Sequence, residues 1–70
     1  MEFVYEWQRV ARDIEQRIAT GEIPQGGRLE NERELADRYS VSAGTVRRAV
    51  RSLRERGLVV TLPAKGTYVR

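Results

Sequence analysis

The stretch from Ser42 to Gly57, SAGTVRRAVRSLRERG, constrains the fold of this 70-residue chain more than any other. Its apolar side chains recur at helical spacing and predict one narrow buried stripe, formed by Val46, Ala49, Val50 and Leu53. Ser42 precedes the stripe as a helix N-cap, and Gly57 follows its last turn as a stop signal. Five arginines and one glutamate lie in the same stretch. The sequence therefore predicts a strongly cationic helix.

A cationic helix of this kind suits the major groove of DNA, which is wide enough to admit a helix. A solvated basic face is the alternative, and the helix alone does not distinguish the two. The distribution of charge favours the first interpretation. Residues 1–35 carry five basic and eight acidic side chains, whereas residues 36–70 carry eight basic and two acidic ones. The second half is therefore electropositive, and its natural partner is a polyanion.

The composition argues against other classes of protein. Seventy residues allow one domain, residues 1–70, with a small core and little room for a substrate cavity. The chain has no cysteine and no histidine, which removes thiolate metal sites and the commonest general base. We therefore expect no enzyme, no metal and no cofactor. Because the chain has no apolar run of membrane-spanning length and no signal peptide, we expect no membrane association and a cytoplasmic, nucleoid-associated protein.

The N-terminal part of the chain predicts an amphipathic helix over roughly residues 5–20. Its apolar positions recur at helical spacing and are Trp7, Val10, Ala11, Ile14 and Ile18. We interpret Trp7 as a core residue rather than a base-stacking platform, because it lies on this stripe. A turn-rich connector, GEIPQGG, covers residues 21–27, and Ile23 is expected to enter the core from it. A very short extended segment is predicted at Arg28 and Leu29.

A second helix is predicted to begin at Asn31. Asn31 and Glu34 have the spacing of a capping box, and Leu35, Ala36 and Tyr39 form the buried face. The acids at positions 30, 32 and 34 favour the positive end of the helix dipole, so we interpret them as structural rather than as a catalytic carboxylate pair. Two helices joined by a tight turn, the second one basic, form a helix-turn-helix.

The C-terminal part predicts a β-hairpin. Residues 58–62 form one strand, residues 63–66 a turn, and residues 67–69 a second strand. Alone, Lys65 and Gly66 would indicate a plain turn with a solubilising lysine. Directly after a helix-turn-helix they indicate a wing. The predicted fold is therefore mainly α with a small β-hairpin, a three-helix winged helix-turn-helix. Its expected core comprises Trp7, Ile14, Ile18, Leu35, Val46, Val50, Leu53 and Leu58.

These segments together resemble the N-terminal DNA-binding domain of the GntR family of bacterial transcription regulators. The matching segments cover nearly the whole chain in the family's order and are residues 7–11, 18–23, 26–29, 32–36, 41–42, 45–50, Leu53, 57–59 and 65–69. The resemblance implies a winged helix-turn-helix that binds operator DNA as a dimer. It implies a recognition helix at about residues 43–56 in the major groove and a wing at about residues 58–69 on the adjacent groove or the backbone.

The resemblance also implies which residues contact DNA. Arg33 corresponds to a phosphate or groove contact, Ser42, Thr45 and Arg47 to the recognition helix, and Lys65 to the wing tip. The complete candidate set is Arg33, Ser42, Ala43, Gly44, Thr45, Arg47, Arg48, Arg51, Lys65, Gly66 and Thr67. We predict a sequence-specific, double-stranded-DNA-binding transcription regulator that acts as a repressor. The alternatives are a winged helix used for protein interaction and a non-specific nucleic-acid binder.

The sequence departs from the family pattern at several places. The family usually has tyrosine where Trp7 stands, and Leu-Pro-Ser-Glu where this chain has Leu29-Glu30-Asn31-Glu32. It often has arginine, a base reader, where this chain has Ala43, so the operator is expected to differ from the usual pattern. The family's C-terminal effector and dimerisation domain is missing from residues 1–70. We therefore expect no small-molecule effector site here and a free monomer that pairs only on DNA, either as an excised domain or as a stand-alone binder.

Overall fold

The structure, a computed structural model, describes residues 5–70 as three helices followed by an antiparallel hairpin. The elements are α1 (Glu6–Ala19), α2 (Glu32–Tyr39), α3 (Ala43–Glu55), β1 (Val59–Leu62) and β2 (Gly66–Val69). This confirms the predicted winged helix-turn-helix. The observed α1 is one residue shorter at each end than predicted, β1 begins one residue later, and β2 begins one residue earlier.

Helix α3 lies at the centre of the molecule and packs against α1, α2 and β1. Its stripe is buried at Val46, Ala49 and Leu53. Val50, the fourth predicted member, is only partly buried because it lies at the edge of a groove between α3 and the hairpin. The stripe is therefore as narrow as the sequence indicated, and most of the circumference of α3 stays outside the core.

The core differs in part from the predicted one. Of the eight expected residues, Ile14, Leu35, Val46 and Leu53 are buried, whereas Trp7, Ile18, Val50 and Leu58 are only partly buried and pack against the rim of the core. These last four therefore pack with the core as expected, but at its edge rather than at its centre. In a domain this small, the three helices, the connector and both strands all contribute buried residues to one core around α3. The other buried apolar residues are Val10, Ala11, Ile23, Leu29, Tyr39, Ala49, Val59 and Val69.

Local hydrogen bonds set the helix boundaries as predicted. The Thr45 backbone N–H donates to Ser42 Oγ at 3.2 Å, which caps α3. The Glu34 N–H donates to Asn31 Oδ1 at 2.8 Å, and the Asn31 N–H donates to Glu34 Oε1 at 3.0 Å, which completes the capping box of α2. Ser40 ends α2 with a left-handed φ of 54° and so makes the tight turn that joins α2 to α3.

The connector fixes the base of the hairpin. The hairpin pairs Val59 with Val69 and Thr61 with Thr67. The connector lies alongside β2: the Leu29 N–H donates to the Thr67 carbonyl at 2.9 Å, and the Val69 N–H donates to the Gly27 carbonyl at 2.8 Å. The predicted short extended segment is present as an isolated bridge between residues 28 and 68. The wing is thereby held at a fixed position beside α3.

A buried arginine, which the sequence analysis did not single out, joins α1 to the connector and to α2. Arg17 is only 9% exposed, and its guanidinium donates to Glu30 at 2.7 Å, to Glu22 at 2.5 Å and to the Tyr39 hydroxyl at 3.5 Å. The Tyr39 hydroxyl in turn donates to Asp13 at 2.6 Å. We call these five side chains the Arg17 network. The sequence offers one indication that Arg17 is buried: it follows Ile14 by one helical turn on the buried face of α1.

The network confirms a structural role for Glu30, whose carboxylate accepts hydrogen bonds from the buried Arg17 guanidinium. Burial by itself raises the pKa of Glu30, but hydrogen bonds from Arg17 and the nearby charge of Arg38 outweigh burial, so the pKa lies below its ordinary value of 4.5. Burial also disfavours the charged form of Arg17, but its bonds to Glu30, Glu22 and Tyr39 raise the pKa of the guanidinium overall. Both charges are therefore stabilised in the folded state.

We predict that Leu53→Ala lowers the free energy of unfolding by roughly 2–5 kcal/mol, the usual cost of deleting a buried leucine side chain. Leu53 is fully buried in the last turn of α3, where its removal leaves a cavity in the core. Thermal unfolding followed by circular dichroism measures the change. A melting curve equal to that of the parent protein would show that this stripe is not internal.

We predict that Glu30→Gln lowers the free energy of unfolding at pH 7 by about 1–3 kcal/mol, because it leaves buried Arg17 donors without an ionised partner. Since folding lowers the pKa of Glu30, its contribution is present above pH 4.5 and is lost as the pH falls through the folded-state pKa. The variant should therefore lose less stability than the parent between pH 6 and pH 3. Glu55→Gln is the matched control, since Glu55 is exposed and forms no ion pair within residues 5–70. The same acid-induced loss in Glu30→Gln as in the parent would contradict the assignment.

Candidate nucleic-acid interface

A groove of about 600 Å³ runs between α3 and the hairpin. Six of the predicted DNA-binding residues line it: Gly44, Arg47, Arg48, Arg51, Gly66 and Thr67. Six further polar residues that were not predicted also line it: Arg28, Glu30, Asn31, Glu32, Arg54 and Thr61. The fold thus brings the recognition helix and the wing together on one face, which we call the groove face.

The orientation of α3 explains why this face is cationic. The buried stripe points into the core, so Arg47, Arg51 and Arg54 recur at helical spacing on the flank of α3 that faces the hairpin. The side chain of Arg47 is 66% exposed. Long cationic side chains on this flank can reach well beyond the helix surface.

Most arginines of the groove face form no ion pair with a carboxylate of residues 5–70. Within residues 5–70, four arginines outside the groove form ion pairs with carboxylates, namely Arg9, Arg17, Arg38 and Arg56. Of the groove arginines in the same part of the chain, Arg47 alone has such a partner, and its Nε lies a loose 3.6 Å from Glu32. The positive charge on this face is therefore available to an external anion.

Hydrogen bonds connect α3 to the hairpin across the groove. Arg54 Nη1 donates to Thr61 Oγ1 at 2.9 Å, and Thr61 Oγ1 lies 3.1 Å from Thr67 Oγ1. Arg54 was not predicted as a site residue, although its spacing from Arg47 and Arg51 could have indicated it. Thr61 was missed because only the strand register places it beside Thr67.

Glycine is favoured at position 66 by its backbone conformation, and the side chain of Arg28 lies close to it. A Cβ at this position would lie 2.7 Å from Arg28 Nε, and the glycine φ of +127° is one that other residues rarely adopt. The side chain of Arg28 therefore crosses directly over the start of β2. No local sequence pattern indicated Arg28, because the contact joins the connector to the hairpin.

The other predicted residues lie outside the groove. Ser42 and Thr45 sit at the N-terminus of α3, where the Ser42 hydroxyl donates to Thr45 Oγ1 at 3.0 Å, and Ala43 beside them is partly buried. Arg33 is exposed on the first turn of α2, and Lys65 is exposed at the hairpin turn. Their contacts with DNA stay predictions.

Trp7 and Arg48 form a pair at the other flank of α3. The guanidinium carbon of Arg48 lies 4.9 Å from the centroid of the Trp7 ring. Trp7 is partly buried and packs against the core, which agrees with its interpretation as a core residue. The indole joins the core to the cationic surface of α3.

Residues 5–70 contain neither a candidate metal site nor a membrane-spanning helix. No group of three histidine, cysteine, aspartate or glutamate side chains in this part of the chain could hold a metal ion. None of the helices described there has the length and apolar character needed to cross a membrane.

The model of the gntR family of bacterial regulatory proteins matches residues 7–69. The chain belongs to the GntR family. The GntR match includes all three helices and the hairpin and leaves out residues 1–6 and Arg70. The resemblance to the GntR family that the sequence indicated is therefore confirmed.

Two GntR-type relatives show the extent of the similarity. The chain is 41% identical over 61 residues to the HTH-type transcriptional regulator Rv0792c of Mycobacterium tuberculosis, which is 87% of this chain and 23% of that protein. It is 36% identical over 64 residues to the mannosyl-D-glycerate transport/metabolism system repressor MngR of Escherichia coli, which is 91% of this chain and 27% of that protein. The chain thus spans about a quarter of the length of these relatives.

Solved structures agree with the family assignment. The DNA-binding domain of AraR in complex with operator ORR3 superposes with a TM-score of 0.91 and 30% identity, over all of this chain and 86% of that one. A GntR-family transcriptional regulator from Listeria monocytogenes gives a TM-score of 0.91 with 28% identity, over 99% of this chain and 60% of that one. Residues 7–69 therefore form a GntR-type DNA-binding domain, and the similar proteins named above are transcription regulators rather than enzymes.

Proposed function

We propose that this domain binds a specific operator, with α3 in the major groove and the hairpin against the adjacent groove or the backbone, and that it represses transcription. The observation that carries the proposal is the groove face. There, exposed arginines without close carboxylate partners line one flank of α3 beside the wing. AraR, whose DNA-binding domain has the same fold, has been crystallised with operators ORR3, ORX1 and ORE1.

The arginines facing the hairpin are suited to reading bases. An arginine side chain pairs with the O6 and N7 atoms of guanine through two hydrogen bonds. We assign this role to Arg47 and Arg51. Ala43 and Gly44, on the first turn of α3, have no long side chain. Base recognition by α3 therefore falls to the residues that follow them.

Other predicted residues are suited to positioning the domain on the backbone. Arg33 is exposed on the first turn of α2 and Lys65 at the hairpin turn, while Ser42 and Thr45 lie at the N-terminus of α3. Helix N-termini and exposed cations bind phosphates without regard to sequence. Gly66 and Thr67 contribute indirectly through the hairpin: Gly66 adopts the φ of +127° at the start of β2, and Thr67 Oγ1 lies 3.1 Å from Thr61 Oγ1.

Repression is supported by relatives rather than by geometry. MngR of Escherichia coli and NanR of Klebsiella aerogenes, which is 40% identical over 52 residues, are both named as repressors. A domain that occupies an operator within a promoter excludes the polymerase. The interaction-module alternative predicted exposed apolar residues on α3, yet the large exposed side chains of α3 are charged.

The proposed function is tested by selecting bound duplexes from a random pool and comparing the selected sequence with its scrambled version at one salt concentration. We expect the selected duplex to bind roughly 10³-fold tighter or more, as specific sites do. Transcription from a promoter that carries this sequence should fall when the protein is added. Equal affinity for both duplexes would leave only non-specific binding, and increased transcription would indicate an activator.

We predict that Lys65→Ala weakens binding to the selected and the scrambled duplex by a similar factor. Because the lysine neutralises one phosphate, the slope of log affinity against log salt should fall by about 0.9. Fluorescence anisotropy over a salt series measures it. Arg56→Ala is the matched control, since Arg56 is paired with Glu15 at 3.0 Å at the far end of α3 and should leave the slope unchanged. A changed preference between operators with an intact slope would make the wing a base reader.

We also propose that the free domain is monomeric. The apolar face of α1 is buried in the core. The large apolar side chains left exposed within residues 5–70 are Tyr5, Val60 and Leu62, and none of them lies within α1, α2 or α3, so these helices expose no apolar seam for a coiled coil. Sedimentation velocity at micromolar concentration should give one species of 8.1 kDa. A species of twice that mass would reveal a dimer interface. The surface around Phe3 and Tyr5 is its predicted place, although Phe3 lies outside the described residues.

A further inference from the structure

The pair formed by Trp7 and Arg48 lies at the border between α1 and the groove face. Together with Arg51, Ser52 and Glu55 it lines a shallow cleft between α1 and α3. Arg48 also lines the groove on the other side. Since Trp7 packs partly against the core, one side of its indole is fixed by the fold, and Arg48 covers another part of the ring.

The charge of Arg48 is not neutralised within residues 5–70, where no carboxylate forms an ion pair with it. Glu55 lines the same cleft but is not within ion-pair distance. Stacking on an aromatic face leaves the N–H donors at the edge of a planar guanidinium free. Arg48 is thus oriented by the protein while its donors and its charge remain available.

The place of Arg48 on α3 separates it from the base-reading flank. Arg47 and Arg54 line the groove but not the cleft, and Arg51 lines both. Arg48 also lines both, but its guanidinium lies over the Trp7 ring on the α1 side. In a helix-turn-helix complex the recognition helix occupies the groove, and elements packed on its sides approach the backbone. A cation on the α1 flank is therefore placed for a phosphate rather than for a base edge.

We propose that Trp7 is a positioning residue that holds Arg48 as a backbone phosphate contact. This inference rests on the proposed DNA-binding function and extends it to a residue outside the helix-turn-helix. The stack keeps the arginine extended before DNA arrives, so less side-chain freedom is lost on binding. At an exposed site such a pair contributes about 0.5–1 kcal/mol, which corresponds to a 2- to 5-fold difference in affinity.

A double-mutant cycle tests the proposal with Trp7→Leu, Arg48→Ala and the combined variant. Because phosphate contacts do not depend on sequence, the probe is a labelled mixed-sequence duplex of about 30 base pairs at low salt, and no operator is needed. We expect Arg48→Ala to lower the salt slope by about 0.9. Trp7→Leu should weaken binding about 2- to 5-fold in the parent and have no further effect in Arg48→Ala.

Two conservative variants separate positioning from folding. Trp7→Tyr keeps an aromatic face and should retain most of the affinity. Arg48→Lys keeps the charge but not the planar group, so it should retain the salt slope and lose the coupling to Trp7. Thermal unfolding of each variant identifies any loss of folded protein, and the Arg48 variants and Trp7→Tyr still test the pair if Trp7→Leu does not fold.

A spectroscopic measurement reports on the pair without DNA. Trp7 is the single tryptophan of the chain, so the fluorescence of the free protein comes from this ring. We expect Arg48→Ala to change the emission maximum or intensity while the melting temperature stays near that of the parent. Unchanged emission would mean that the stack does not exist in solution and would overturn the inference.

The outcomes distinguish a failure of the proposed DNA-binding function from a failure of the Trp7–Arg48 inference. If the parent protein binds no duplex at low salt, the proposed function fails and this inference fails with it. If the parent binds but Trp7→Leu has the same effect with and without Arg48, Trp7 acts only through folding and this inference alone is wrong. If Arg48→Ala leaves the salt slope intact, Arg48 does not contact a phosphate, and the inference is again overturned.

Discussion

The contact between Arg17 and Glu30 holds the helices in the arrangement on which the groove face depends. A guanidinium that is only 9% exposed requires partners, and its partners come from the connector, from the residue just before the cap of α2 and from the end of α2. This fixes α2 relative to α1. Because only three residues separate α2 from α3, across the tight turn at Ser40, the direction of α3 depends on the same contact. Within the described residues, the network has no buried side-chain nitrogen or oxygen without a hydrogen-bond partner.

Helix α3 must satisfy two demands with opposite faces. Its stripe at Val46, Ala49 and Leu53 supplies a shared surface for α1, α2 and β1, while its other side carries the exposed arginines. The narrowness of the stripe is what allows both. The hairpin is held against the same helix by the Arg54 to Thr61 bond, so the wing and the arginines keep a fixed spacing. The surface proposed for DNA is therefore set by core packing and by one polar contact across the groove.

Local patterns predicted most of the fold. The caps at Asn31 and Ser42, the periodicity of three helices and the turn at residues 63–66 all depend on residues a few positions apart, and the structure confirms them. The pairs that complete the site were not predictable in this way. Arg17 with Glu30, Arg28 with Gly66 and Trp7 with Arg48 are brought together only by the tertiary fold. Trp7 packs against the core as predicted, but a helical stripe cannot show which of its members lies at the rim.

The departures from the family pattern before α2 have a physical explanation in this arrangement. Where the family usually has Pro-Ser, this chain has Glu30-Asn31. Asn31 supplies the cap that serine would supply, since its Oδ1 accepts from the Glu34 N–H. Glu30 supplies a carboxylate that proline lacks, and this carboxylate binds Arg17 at 2.7 Å and Arg38 at 3.4 Å. A buried arginine at position 17 and proline at position 30 would leave the guanidinium with Glu22, which is largely exposed, as its carboxylate partner. The two departures thus keep α2 capped and Arg17 neutralised, so α2 and the turn into α3 keep their places without the family's usual residues.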